Sequence, residues 1–115
     1  MKRGEIWTLA GGGDDAGKPR PVVIVQNDRF DAIQSITVCP FTTNPTSAPL
    51  FRLPIEPTEE NGLRHACRMM TDKVMTVPRR RLGARLGRLS DEEMVRVNRA
   101  LMVFLGIAGP GERAR

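Results

Sequence analysis

The sequence predicts a mainly β protein with one C-terminal helix, arranged as a small, partly open barrel or curled sheet with the helix packed on one side. Short apolar segments separated by turn residues recur through most of the chain, and one segment with helical periodicity follows them. The chain has 115 residues, 40% of them hydrophobic, which is enough for one core and leaves little room for a second. We therefore expect a single domain at residues 1–108 and a basic, disordered tail at 109–115.

Three strands are predicted near the N-terminus because their segments are rich in apolar and β-branched residues. They are RGEIWTLA (3–10), RPVVIVQN (20–27) and ITVCPFTTN (36–44). Pro40 lies inside the third segment and indicates an edge strand or a bulge, since proline donates no backbone hydrogen bond. The glycines and aspartates of residues 11–19 predict a mobile loop, and residues 28–35 predict a turn or one helical turn.

Two further strands and a basic connection are predicted before the helix. They are LFRLPIE (50–56), LRHACRMMTDKVMTV (63–77) and PRRRLGARLGRL (78–89). The second of these segments is long enough to bend near Thr71 and Asp72, and the third predicts a short strand or a helical turn. Residues 45–49 and 57–62 are rich in turn-forming residues and separate these elements.

The last element is the helix after residue 89. Ser90 and Glu93 form a capping box, in which the serine hydroxyl accepts a bond from a free N–H of the first turn and the glutamate reaches back. Apolar residues then recur at helical spacing, so one face is expected to be buried. They are Met94, Val97, Leu101 and either Phe104 or Leu105. Gly106 is a natural end for the helix.

The charge of the chain favours a polyanionic partner. Its 18 Lys and Arg exceed its 13 Asp and Glu, which gives a net charge of +5, and a small basic domain suits a nucleic acid or an acidic protein. Only 4% of the residues are aromatic and none is Tyr, which argues against a platform on which bases stack. The alternative is that the charge serves solubility alone.

The remaining composition predicts a cytoplasmic protein without a membrane segment. No apolar run is long enough to span a bilayer, and no apolar signal region follows Met1. Cys39 and Cys67 are widely spaced and lack neighbouring metal ligands, so we expect free thiols. Signatures for a metal site, a nucleotide-binding loop or a protein nucleophile are also missing. We therefore expect neither a metal nor a cofactor.

One reaction needs only the groups that this sequence offers. When an RNA 2′-hydroxyl attacks its own phosphate, the substrate supplies the nucleophile, and the protein supplies a base, an acid and donors to the crowded phosphate. Arginine, aspartate, threonine and histidine side chains can fill these roles. Only RNA carries the 2′-hydroxyl, so such an enzyme would select RNA over DNA.

Several motifs in order resemble the MazF/PemK family of toxin–antitoxin ribonucleases. They are RGEIW (3–7), RPVVIVQND (20–28), TVCPFTTN (37–44), DKVMTV (72–77), RRLG (80–83) and the LSDEEM start of the helix (89–94). The resemblance covers residues 2–107. It implies a Src-homology-3-like barrel, a homodimer, and sequence-specific, metal-independent cleavage of single-stranded RNA that leaves a 2′,3′-cyclic phosphate and a 5′-hydroxyl. It also implies a cognate acidic antitoxin.

The resemblance implies three catalytic residues. Arg20, in the Arg-Pro motif, would contact the scissile phosphate and stabilise the transition state or act as the acid. Thr42 would donate its hydroxyl to a phosphate oxygen, with Thr43 as the alternative because a one-residue slip exchanges the faces of a strand. Asp72 would be the base for the 2′-hydroxyl.

A second group of residues is expected to bind RNA. It consists of Lys18, Thr43, Arg68 and Lys73. Family members with the aspartate carry an arginine two residues before it, where this chain has Met70. Arg68 would share the face of Asp72 on a regular strand and would supply that charge. Many members have glutamine where this chain has Lys73, so substrate preference is expected to differ. We interpret His65, the only histidine, as a surface residue rather than a base.

Two other functions fit parts of the sequence. RMMTDKVMTVP (68–78) and LMVFLGIAG (101–109) are similar to the CcdB gyrase poisons, which share the barrel and act through the end of the terminal helix. Those proteins carry a Trp where this chain has Leu105, they end near Ile107, and they lack the Arg-Pro and threonine set. A non-catalytic basic binding module is the third candidate.

Overall fold

The computed structural model describes residues 1–11, 18–45 and 50–108 as one open antiparallel sheet with a C-terminal helix. The strands are β1 (Glu5–Leu9), β2 (Arg20–Ile24), β3 (Ser35–Thr42), β4 (Arg52–Ile55), β5 (Cys67–Met70), β6 (Met75–Pro78) and β7 (Leu82–Arg88), and the helix is α1 (Asp91–Phe104). The sheet order is β4-β5-β3-β2-β1-β7, with β6 also pairing with β3. The fold class predicted from the sequence is confirmed. The mobile loop and the disordered tail were predicted for residues that include 12–17 and 109–115, which lie outside the described residues.

β3 is the centre of the sheet, not an edge. It pairs with β2 on one side, while β6 and β5 follow one another on its other side. The β6 pairs end at Val38 and the β5 pairs begin at Phe41, so Pro40 lies where this side has no paired strand. A proline is tolerated there because no ladder bond is required of it. The edge character indicated by Pro40 is therefore local to this gap.

The long strand predicted at 63–77 is divided in two by a 3₁₀ turn at Thr71–Lys73. The turn lies at the bend that the sequence allowed, and it lets one segment pair with two stretches of β3. Thr71 is completely buried, and its hydroxyl donates a 2.6 Å hydrogen bond to the carbonyl oxygen of Phe51. A second 3₁₀ turn, at Arg79–Arg81, precedes β7, so the basic connection contains both a turn and a strand.

Both faces of β2 are buried, which explains its unbroken apolar run. Val23 belongs to a core cluster that α1 covers through Val97 and Leu101. Val22 and Ile24 project to the opposite face and belong to a second cluster. Its other members are Leu9, Ile36, Val38, Val77 and Leu82. Trp7 packs against this second cluster. The two clusters hold the start of β2 firmly in the sheet.

The helix begins as the sequence predicts. The Ser90 hydroxyl accepts a bond from the Glu93 N–H at 3.1 Å, and Glu93 Oε1 accepts one from the Ser90 N–H at 2.9 Å. At the other end, Gly106 has a φ of +75° and closes the helix through hydrogen bonds from its own N–H and from that of the next residue. Val97, Ala100 and Leu101 are buried, and Met94 packs against them.

The prediction that Phe104 or Leu105 continues the buried face is wrong. Phe104 is 44% exposed and Leu105 is 54% exposed. Phe104 instead contacts Phe51, with ring centroids 6.1 Å apart. In the described part of the chain, no helix is long and apolar enough to cross a membrane.

Candidate active site

An open cavity of about 710 Å³ lies where the start of β2 meets the end of β3. Its walls come from these two strands, from the loop before β5 and from β1 and β7. The lining residues are Thr8, Lys18, Pro19, Arg20, Pro21, Phe41, Thr42, Thr43, Gly62, Leu63, Arg64, His65, Cys67 and Leu86. The cavity thus contains four of the seven site residues that the sequence predicts.

Strand register places Arg20 beside Thr42. Val22 pairs with Pro40, and continuing this antiparallel register by two residues brings Arg20 opposite Thr42. Directly opposite residues project to the same face of a sheet. Thr42 also pairs with Arg68 on its other side. Three neighbouring strands therefore present an arginine, a threonine and a second arginine on one face.

The backbone holds Arg20 at a fixed point. Its neighbours Pro19 and Pro21 have restricted backbone angles, and each also biases the residue before it toward extended geometry. Arg20 pairs with Leu9 of β1, while its side chain is exposed. The guanidinium group is therefore a positive charge on a rigid base at the edge of the cavity.

The Thr42 hydroxyl can both accept and donate. It accepts a hydrogen bond from the Asn44 N–H at 3.1 Å, and this bond does not use the hydroxyl proton. A phosphate oxygen in the cavity can take that proton in a hydrogen bond. Thr43 also lines the cavity, so the structure brings both candidate threonines to the site, and the register with Arg20 favours Thr42.

Asp72 is not among the described residues that line the cavity. Arg52 donates two hydrogen bonds to its carboxylate, from Nε to Oδ1 at 3.2 Å and from Nη2 to Oδ2 at 3.1 Å. These bonds are the main reason why the pKa of Asp72 lies below its ordinary value of 3.8, and partial burial acts in the opposite direction. A carboxylate engaged in this way is a weak candidate for the base.

The expectation that Arg68 shares a face with Asp72 is wrong. β5 ends at Met70, and Asp72 lies in the 3₁₀ turn that follows. Strand alternation does not continue through such a turn, because each residue of a 3₁₀ helix rotates by a third of a turn. Lys73 is exposed on the same turn and is absent from the described lining of the cavity.

The sequence interpretation missed the loop that closes the cavity, with Arg64 and His65. This loop is built on Asn61, which is completely buried. The Asn61 side chain accepts bonds from the N–H groups of Thr58 and Leu63, each at 3.0 Å, and donates one to the Glu56 carbonyl oxygen at 2.8 Å. The Asn-Gly pair at 61–62 was the available signal, since it marks a defined turn.

The two cysteines do not supply a nucleophile. Both are free, as the sequence predicts. Burial raises the pKa of the Cys39 thiol to about 12 and that of the Cys67 thiol to about 11. Only the thiolate is strongly nucleophilic, so Cys67 contributes apolar surface to the cavity. Across residues 1–11, 18–45 and 50–108, no group of three or more His, Cys, Asp or Glu side chains is placed to hold a metal ion.

Known proteins resemble the chain over nearly its whole length. A family model described as PemK-like, MazF-like toxin of type II toxin–antitoxin systems matches residues 2–105. A probable endoribonuclease MazF of Mycolicibacterium smegmatis is 59% identical over 109 residues, which cover 95% of this chain and 100% of the relative. Endoribonuclease MazF9 of Mycobacterium tuberculosis is 31% identical, covering 93% of this chain and 98% of the relative.

Solved structures of such proteins share the fold. An endoribonuclease in complex with its cognate antitoxin, from mycobacterial species, has a TM-score of 0.77 at 22% identity, with 96% of this chain and 99% of that chain covered. A MazE–MazF structure from Deinococcus radiodurans has a TM-score of 0.76 at 18% identity, with 94% and 98% covered. None of these matches is to a gyrase poison, so that alternative has no support.

Proposed function

The chain belongs to the PemK-like, MazF-like family of type II toxin–antitoxin toxins and is an endoribonuclease, and from this premise we propose that it cleaves single-stranded RNA in the cavity at Arg20 and Thr42. The observation that supports this proposal is the register of β2, β3 and β5: continued from the Val22–Pro40 pair, it has Arg20, Thr42 and Arg68 project to one face. Two cations flanking a hydroxyl donor suit a phosphate.

The proposed reaction draws its nucleophile from the RNA. The 2′-oxygen forms a bond to the adjacent phosphorus while the bond from phosphorus to the 5′-oxygen breaks, so the products are a 2′,3′-cyclic phosphate and a 5′-hydroxyl. Arg20 stabilises the negative charge that develops on the phosphate oxygens, and Thr42 donates a hydrogen bond to one of them. Because both groups are fixed in advance by the sheet, little reorganisation is needed during the reaction.

Neighbouring residues extend the proposed RNA path. Lys18 and Thr43 line the cavity with Arg20, and we assign them contacts with the nucleotides on either side of the scissile bond. Arg68 would contact a second phosphate from the other side of Thr42. Lys73 lies on the turn after β5, outside the described lining, and would meet only a longer RNA.

We propose an acidic antitoxin as the second partner. The chain carries a net charge of +5, and an extended acidic segment could occupy the cavity in place of RNA. One of the structural neighbours is an endoribonuclease bound to its cognate antitoxin. We further propose that the toxin domain, residues 1–108, acts as a homodimer in the cytoplasm, where its RNA substrate is found.

The test is cleavage of a mixed-sequence RNA in the presence of EDTA. The wild-type protein is expected to make discrete cuts that leave cyclic phosphate and 5′-hydroxyl ends. Arg20→Ala should lower the rate by about 100-fold or more, since it removes a preorganised charge, whereas Arg96→Ala on the exposed face of α1 should have no effect. Intact RNA with the folded wild-type protein would overturn the proposal.

A further inference from the structure

The proposed reaction requires a group that accepts the 2′-hydroxyl proton, and Asp72 is poorly placed to be that group. It lies outside the described lining of the cavity, and Arg52 holds its carboxylate through two hydrogen bonds. Among the described residues that do line the cavity, none is an aspartate or a glutamate. Among the described lining residues, the candidate base is therefore another kind of side chain.

Within residues 1–11, 18–45 and 50–108, the titratable side chains that line the cavity leave one candidate. They are Lys18 and Arg20 from the start of β2, Arg64 and His65 from the loop before β5, and Cys67 from β5 itself. Lysine and arginine are poor proton acceptors near neutral pH because they are normally protonated there. Burial raises the pKa of Cys67 to about 11. Histidine is the residue type that exchanges a proton in this range.

The loop that leads to His65 is packed closely against β7 at residues 60–62. Gly87 is buried in that strand, and a Cβ atom there would lie 2.2 Å from the carbonyl oxygen of Glu60. Gly62 has a φ of +68°, and a Cβ atom on it would lie 2.2 Å from the Leu86 carbonyl oxygen. With Asn61 buried beneath the turn, the loop and the strand touch through their backbones. These contacts fix the loop up to Leu63, two residues before the exposed His65 side chain.

We propose that His65 is the catalytic base of the RNA cleavage, an inference that rests on the proposed function. Its neutral imidazole takes the 2′-hydroxyl proton as the 2′-oxygen bonds to phosphorus. The 5′-oxygen leaves and takes a proton from water, and the imidazolium later returns its proton to solvent. Arg20 and Thr42 contact the phosphate oxygens throughout the reaction. His65 therefore acts on the nucleophile, and the other two residues act on the phosphate.

The test compares cleavage rates of the wild type with those of His65→Gln, a neutral residue of similar length, over a range of about pH 5 to pH 8. Single-turnover rates are measured on an RNA that contains one mapped cleavage site. The wild-type rate should rise with pH along an acidic limb. His65→Gln should lose about 100-fold or more at the plateau, as expected for removal of a general base, and should lose the acidic limb.

Two controls separate a chemical role from a structural one. Binding of a 2′-O-methyl copy of the same RNA, which cannot be cleaved, should be nearly unchanged in His65→Gln, and added imidazole should restore part of the rate of His65→Ala. Because the chain contains a single histidine, its imidazole NMR signals report one site. The midpoint of that titration should coincide with the midpoint of the wild-type acidic limb.

The possible outcomes are distinct. A normal rate and an unchanged acidic limb in His65→Gln would overturn the role of His65 while leaving the proposed ribonuclease activity intact. Loss of the limb in Asp72→Asn instead would assign the base to Asp72, and a loss of rate matched by a loss of binding would make His65 a binding residue. A wild-type protein that leaves RNA uncut would refute the proposed function itself.

Discussion

At the scale of single residues, Thr42 and Thr43 illustrate how one position along a strand decides a role. Both line the cavity, but only Thr42 lies on the face of Arg20 and Arg68. Thr42→Val keeps the shape and removes the hydroxyl, and it should slow RNA cleavage by about 10- to 100-fold, the value of a hydrogen bond to a charged group. Thr42→Ser should retain most of the activity in the same single-turnover assay.

Thr43→Val is the matched control for this prediction. It removes the neighbouring hydroxyl, to which we assign a nucleotide contact and no role at the scissile phosphate. At saturating protein its single-turnover rate should therefore stay close to that of the wild type, while RNA binding weakens. A large loss in Thr43→Val with a normal Thr42→Val would move the donor to Thr43 and would mean that the strand register does not continue to the cavity edge.

The ion pair between Arg52 and Asp72 predicts a pH-dependent stability. Because the pKa of Asp72 is lower in the folded protein than its ordinary value of 3.8, the pair stabilises the fold fully above that value, and this contribution is lost as the pH falls through the lower, folded-state pKa. Asp72→Asn should therefore destabilise the protein at neutral pH, and the difference from the wild type should shrink in the acid range. Urea unfolding of the two proteins at neutral pH and at acidic pH measures this difference in unfolding free energy.

Asp91 offers a comparison for the same experiment. It pairs with Arg88 at 3.3 Å, but its side chain is 97% exposed, and exposed pairs contribute little. Asp91→Asn should change stability less than Asp72→Asn at neutral pH. Equal effects of the two substitutions at both pH values would contradict a specific contribution from the Arg52 pair.

These residues also show where inference from the sequence stops. The sequence placed Arg20 correctly at the start of a strand, because the proline and the apolar run that follow it mark that position locally, whereas Thr42 was named through the family resemblance. It could not show that Asp72 pairs with Arg52, since 20 residues separate the two and a 3₁₀ turn changes the direction of the Asp72 side chain. His65 looked like a surface residue because its cavity depends on contacts between distant segments.

At the scale of elements, the contact between β7 and the loop before β5 has the clearest consequence. Gly87→Ala would place a Cβ atom 2.2 Å from the backbone oxygen of Glu60, and neither backbone can yield without moving the loop. We expect a loss of about 3 kcal/mol in unfolding free energy, at the upper end of overpacking effects. RNA cleavage by the remaining folded protein should also fall, because the displaced loop carries Arg64 and His65.

Gly106→Ala serves as the control for this glycine. A Cβ atom there would meet nothing within 4 Å, although the φ of +75° remains unfavourable. Its cost should be about 1 kcal/mol, from backbone strain alone, with normal cleavage. If urea titrations give the same stability for Gly87→Ala as for the wild type, the close packing of loop and strand is not present in solution.

The other strands and the helix could be predicted where the sequence pattern that specifies them lies within a few adjacent residues. The capping box of α1 and the apolar run of β2 depend on a few adjacent residues, and both are confirmed. The division of the segment at 63–77 and the exposed end of α1 depend on how far the neighbouring strands extend. Phe104 satisfies the helical spacing and is still 44% exposed, because periodicity within a helix does not show which residues the rest of the fold covers.

At the scale of the whole molecule, the residues that form the apolar core are different from those proposed to act on RNA. Two apolar clusters occupy opposite faces of β2, while Arg20, Thr42 and Arg68 stand where strands β2, β3 and β5 meet. The fold class followed from the order of strands and helix in the sequence. The arrangement of the candidate site could not be predicted in this way. It is assembled from the ends of strands that are distant along the chain, and the register between these strands determines which side chains meet.

The same arrangement predicts how RNA binding responds to salt. For single-stranded nucleic acid, a plot of the logarithm of the binding constant against the logarithm of the salt concentration has a slope of about −0.7 for each phosphate that the protein neutralises. If Lys18, Arg20 and Arg68 each contact a phosphate, the slope should be about −2 for the uncleavable 2′-O-methyl RNA. Arg68→Gln should reduce its magnitude by about 0.7, whereas Arg96→Gln on α1 should leave it unchanged, although both substitutions remove one positive charge. Titrations of RNA binding at several salt concentrations measure these slopes. Equal changes of slope in the two variants would contradict the prediction, because RNA would then respond only to the total charge of the protein.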